Sequence, residues 1–92
     1  MGGAARIRPE RLPDKLRQIR EALGLSQSEM LRRLGFEDVL DYKRISEYEL
    51  GKNEPPLEIL LSYARVAGVC MDTLVDDQLD LPAKLPAKPK HS

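Results

Sequence analysis

The stretch "ISEYELGKNEPPLEILL", residues 45–61, decides the fold. A serine and two acids sit on a helical pattern, and Gly51-Lys52-Asn53 interrupts it. Two prolines follow, and a fresh apolar run begins at Leu57. Gly51 suits the left-handed residue that closes a helix. Pro56 suits the first turn of the next helix, where its missing N–H costs nothing. Leu57, Leu60, Leu61 and Ala64 then predict an apolar stripe that stops at Gly68. Two helices therefore meet here across a short turn.

Toward the N-terminus the same grammar repeats. Leu12, Leu16, Ile19 and Leu23 recur at intervals of four, three and four, one face of a helix. Gly24 suits its closing residue. Ser26-Gln27-Ser28-Glu29 has the capping-box spacing, so a second helix follows with Met30, Leu31 and Leu34 inward and Gly35 at its end. From Phe36 to Asp41 the pattern weakens. Asp38 and Asp41 are both candidate caps for a third helix. Asp41 is preferred, because Tyr42, Ile45 and Tyr48 or Glu49 then share a face. Toward the C-terminus, Met71, Leu74 and Val75 predict a short fifth helix. "QLDLPAKLPAKPKHS" is rich in proline, doubles a Leu-Pro-Ala-Lys unit and reads as an extended tail. No strand pattern appears. The organisation expected is a flexible arm over 1–11, a five-helix domain over 12–77 and a Pro/Lys-rich flexible tail over 78–92. Leu16, Ile19, Leu31, Ile45, Leu60 and Leu74 are the expected core.

Ninety-two residues suffice for one domain, and four aromatics without tryptophan leave packing to aliphatic side chains. Cys70 is the only cysteine, which excludes an internal disulfide and fits a reducing cytoplasm. It reads as a small buried apolar residue. No apolar run reaches the ~20 residues that span a bilayer, and the first residues lack the apolar segment of a secretory signal. No nucleophile, base and orienting group cluster, and no metal-ligand spacing occurs, so neither enzyme activity nor a cofactor is expected. Net charge is zero but uneven: residues 1–36 hold eight Lys/Arg and four Asp/Glu, residues 37–83 four and eleven, residues 84–92 three and none. The basic first third keeps a local phosphate-binding patch open.

"LRQIREALGLSQSEMLRRLG" (16–35) and "ISEYELGKNEPPLEILLSYARVAGVCMDTL" (45–74) together resemble the Cro/repressor-type helix-turn-helix family, also called the XRE type. Leu25-Ser26-Gln27 resembles the family's entry to its second helix. Ile45 to Pro55 resembles its Ile-Ser-x-aromatic-Glu-x-Gly-Lys-x-x-Pro pattern, and Leu57 to Asp72 its following helix. The resemblance implies an all-α, five-helix lambda-repressor-like domain and a sequence-specific DNA-binding regulator of double-stranded DNA, acting as a homodimer. It implies a repressor or autoregulator, with a toxin–antitoxin-like operon as a narrower version.

In such a domain the third helix enters the major groove and the loop after it lies on the backbone. Lys52 and Asn53 would then meet phosphate oxygens, as would Gln27 and, more weakly, Ser28. On a helical wheel with Ile45 inward, Lys43 and Glu47 fall opposite, Ser46 beside them and Arg44 on the other flank. Lys43 would favour guanine acceptors and Glu47 the cytosine amine; the plain alternative is that they pair with each other. The chain departs from the family between Gly35 and Ile45, where "FEDVLDYKR" is longer than usual and carries Glu37, Asp38 and Asp41. An enlarged turn is expected there, with Phe36 inward and the acids turned from DNA. A dimer surface is expected at the end of helix four, helix five and Leu74 to Leu81. The alternative function is a protein-binding adaptor on the same scaffold, with weak or no DNA affinity. No membrane or small-molecule partner is implied.

Overall fold

A computed structural model describes residues 8–87. They form α1 (Leu12–Ala22), α2 (Gln27–Leu34), α3 (Lys43–Leu50), α4 (Leu57–Ala67) and α5 (Met71–Val75), with no strand among them. Helix α1 packs on α3 and α5, α2 on α3 and α4, and α4 on α5. All six expected core residues are buried. Pro89 and His91 of the expected tail, and the part of the expected arm before Arg8, lie outside the described residues.

The caps explain where the helices begin and end. Ser26 Oγ accepts the Glu29 N–H at 3.1 Å, and the Glu29 carboxylate accepts the Ser26 N–H at 2.9 Å, completing the capping box of α2. Gly35 at φ +88° and Gly51 at φ +76° close α2 and α3 in the left-handed region that a side chain disfavours. Helix α1 has no cap of its own. The Asp77 carboxylate, from beyond α5, accepts the N–H groups of Glu10 at 2.9 Å and Arg11 at 3.0 Å. Arg11 donates in return to the Asp77 carbonyl at 2.7 Å and meets the Asp80 carboxylate. The last residues before α1 are thus joined to the first residues after α5. Residues 79–87 form neither helix nor strand and bend at 83–84 and 86–87, with Leu81, Leu85 and Ala87 half-buried against the core.

Four expectations are corrected. Helix α3 begins at Lys43 with Tyr42 before it. Asp41 still serves the helix start, since its carboxylate accepts the Lys43 N–H at 2.9 Å. Tyr42, expected on the inward face, is exposed. The stripe on α4 is Ile59, Leu60, Tyr63, Ala64 and Ala67, while Leu57 is 68% exposed and Leu61 38%. So many positions of α4 are apolar that periodicity alone fits several faces, and packing on α2 and α5 selects one. Cys70 is exposed, because it precedes α5 rather than lying in its face. Its thiol should react with a disulfide reagent in the native protein at a rate close to that of a free cysteine. A rate limited by unfolding would contradict this placement.

A buried charge escaped the sequence reading. Lys15 is 1% exposed, and its ammonium donates to the carbonyls of Thr73 at 2.8 Å and Asp76 at 2.9 Å. It thereby satisfies acceptors at the C-terminal end of α5. Burial, then repulsion from Arg11, pulls the Lys15 pKa below the usual lysine value, against the attraction of Asp77, Asp76 and Asp80.

Candidate nucleic-acid interface

Ile45 and Tyr48 are the buried residues of α3. Their spacing fixes the helix rotation, which leaves Lys43 and Arg44 exposed and Ser46 and Glu47 half-exposed. Burial raises the Tyr48 hydroxyl pKa, as it does that of Tyr63, whose hydroxyl is wholly enclosed without a hydrogen-bond partner among the described residues. Both tyrosines belong to the core, so neither is a stacking platform.

The orientation of α3 is held from behind. Arg20 of α1 grips Glu49 through Nε–Oε2 at 2.7 Å and Nη2–Oε1 at 3.0 Å, a two-pronged pair. Its Nη1 also donates to the Leu25 carbonyl at 3.1 Å. One guanidinium thus joins α1, the α1–α2 turn and α3. The Glu49 side chain is 5% exposed, and its hydrogen bonds push the Arg20 pKa further upward. The sequence reading placed Glu49 only as an inward-face option. Its partner lies 29 residues away, and nothing local announces it.

The turn after α3 folds back on the helix. The Glu47 carbonyl accepts the N–H of Lys52 at 2.9 Å and of Asn53 at 3.4 Å. The Glu47 carboxylate accepts from the Asn53 amide at 2.8 Å and lies 3.5 Å from the Arg44 guanidinium. Lys43 and Glu47, paired in the plain reading, are not joined; neither the Lys43 nor the Lys52 ammonium meets an acceptor among the described residues. Lys52 is exposed and Asn53 half-buried. Gln27, half-buried, and Ser28, exposed, head α2, where backbone N–H groups and the helix dipole favour an anion. The expected site residues therefore fall on the start of α2, the outer face of α3 and the turn behind it.

The inserted stretch makes a single turn, with the N–H groups of Val39 at 3.1 Å and Leu40 at 2.9 Å donating to the Phe36 carbonyl. Phe36 and Leu40 pack against the core while Glu37, Asp38, Val39 and Asp41 face outward, as an enlarged turn requires. Arg32 meets Glu37 at 3.3 Å, but both are exposed, so the pair contributes little. No group of side chains suited to a metal ion occurs among the described residues, and none of their helices is long and apolar enough to cross a membrane.

The model of a family described as Helix-turn-helix matches residues 16–74, nearly two thirds of the chain, from within α1 to within α5. No curated protein and no solved structure matches the chain.

Proposed function

Because the chain belongs to the Helix-turn-helix family of the Cro/repressor type, a family of DNA-binding transcription regulators, we propose that it is a sequence-specific repressor or autoregulator that binds double-stranded DNA as a homodimer in the cytoplasm. The observation that carries this reading is the outer face of α3. Two buried residues and a two-pronged ion pair fix the helix, and Lys43 and Arg44 at its start and Lys52 in the turn after it stand exposed. Lys43 and Ser46 would meet base edges in the major groove, and Arg44, Lys52, Asn53, Gln27 and Ser28 the phosphates. A single module reads few base pairs, and two across a symmetric site multiply the specificity. Exposed Val75 and Leu79 support a dimer surface near α5. A toxin–antitoxin-like operon is a narrower setting of the same reading.

The second reading, an adaptor that binds a protein, draws on the inserted turn. Val39 is exposed at its tip between Asp38 and Asp41, an apolar point in an acidic setting that suits a basic protein surface better than a phosphate backbone. Selection from a random duplex library at stated salt separates the two. On the DNA reading, Lys52→Ala and Gln27→Ala weaken binding to every duplex, and Lys52→Ala lowers the salt slope by about one phosphate contact. Absence of any sequence preference in low salt would leave the adaptor reading in possession.

A further inference from the structure

We infer, on the DNA-binding reading above, that Glu47 is a positioning residue that sets Asn53 and Arg44, and not a reader of a base edge. Its place on the outer face of α3 invites the opposite view, since a carboxylate there can accept from a cytosine amine. The contacts oppose it. Glu47 Oε1 accepts from Asn53 Nδ2 at 2.8 Å and faces Arg44 Nη1 at 3.5 Å. The same residue's carbonyl takes the N–H groups of Lys52 and Asn53. Glu47 is therefore bound through main chain and side chain to the two residues that would touch phosphate.

The chemistry of those partners follows. An asparagine amide has two N–H donors; with one given to Glu47, the amide plane is fixed and the other is aimed by the turn. Arg44 partly offsets a negative charge that would otherwise face a polyanion, although the half-exposed pair is weak. The carboxylate has further lone pairs, but the hydrogen bond that Oε1 accepts from Asn53 fixes its orientation against the turn, and a rotation of Glu47 toward a base edge would release Asn53 and loosen the turn. Its structural contacts thus compete with base reading and favour phosphate positioning.

Substitution can separate the two roles. Glu47→Gln keeps an acceptor for Asn53 and removes the charge that holds Arg44. Glu47→Ala removes both. Binding is measured on the duplex that the wild-type protein selects from a random library and on an unrelated duplex. Glu47→Gln should bind both duplexes more tightly, with a salt slope steeper by at most about one, as Arg44 no longer shares its charge with Glu47 and gives all of it to the phosphate. The preferred sequence should be unchanged in both variants. Asn53→Ala should cost about fivefold in affinity in the wild-type and Glu47→Gln backgrounds, as expected for one hydrogen bond, and nothing further in Glu47→Ala.

A changed base preference in either Glu47 variant, or an equal cost of Asn53→Ala in all three backgrounds, would overturn the assignment. The side-chain amide resonances of Asn53 in DNA-free protein give an independent readout. They should stay displaced from solvent-exposed values in wild type and Glu47→Gln and move to them in Glu47→Ala. Unmoved resonances in Glu47→Ala would refute the contact. A wild-type protein that selects no duplex would sink the DNA-binding reading, while the amide resonances would still decide whether Glu47 holds Asn53.

Discussion

Glu49→Ala is expected to destabilise the domain by about 3–5 kcal/mol, the cost of stranding one partner of a buried ion pair. The carboxylate is 5% exposed and occupies two of the Arg20 donors at 2.7 and 3.0 Å. Without it, Arg20 keeps only the Leu25 carbonyl as a hydrogen-bond acceptor among the described residues. Chemical denaturation should show a lower midpoint at an unchanged slope, the sign that stability and not compactness has altered. Arg20→Lys should not rescue the function of the pair, because an ammonium cannot offer the planar fork that engages both oxygens. Replacing both partners by apolar residues of similar volume tests the cause. A double variant close to wild type would show that the cost lies in the stranded charge, since well-packed apolar replacements are often neutral. A loss below about 1 kcal/mol in Glu49→Ala would instead mean that the pair is no more than a surface contact. The effect should reach DNA binding as well, because this pair is the polar tie between α1 and α3.

The helices were legible because their signals are local. Ser26 and Glu29 lie three residues apart and form the box their spacing announces. Gly35 and Gly51 stop helices where only a residue without a side chain is comfortable. Ile45 and Leu74 sit on faces that few competing apolar residues confuse. Helix α4 fails that condition, since Leu57, Ile59, Leu60, Leu61 and Tyr63 give nearly every face an apolar candidate, and only the neighbours decide between them. The contacts that tie the fold together were invisible for another reason. Lys15 meets Thr73, Arg20 meets Glu49 and Asp77 meets Arg11 across 58, 29 and 66 residues. A lysine in a helix normally reads as solvated, and nothing beside Lys15 says that the end of α5 will supply its acceptors. The outer face of α3 followed from Ile45 alone, but the link from Glu47 to Asn53 depended on how the turn at Gly51 folds back.

Ile45→Ala is expected to cost about 2–5 kcal/mol, the range for emptying a fully buried aliphatic site. Ile45 has no exposed surface, and with Tyr48 it makes up the buried side of α3. Helix α3 has eight residues, too few to hold itself together in water, so its helicity depends on this packing. Each kilocalorie moves the melting temperature by roughly 4–8 °C in a domain of this size, so a fall of at least about eight degrees should appear. Ile45→Val, which removes one methyl group, should cost only about 0.5–1.5 kcal/mol. Leu57→Ala supplies the contrast: a leucine 68% exposed on α4 should change stability by no more than about 0.5 kcal/mol. The sequence pattern alone places both residues inward and predicts similar losses for both. Equal losses would return Leu57 to the core and shift the register of α4. A large loss for Ile45 beside a negligible one for Leu57 is the result required if α3 is held on its scaffold by two side chains and a buried ion pair, with its other face free for DNA.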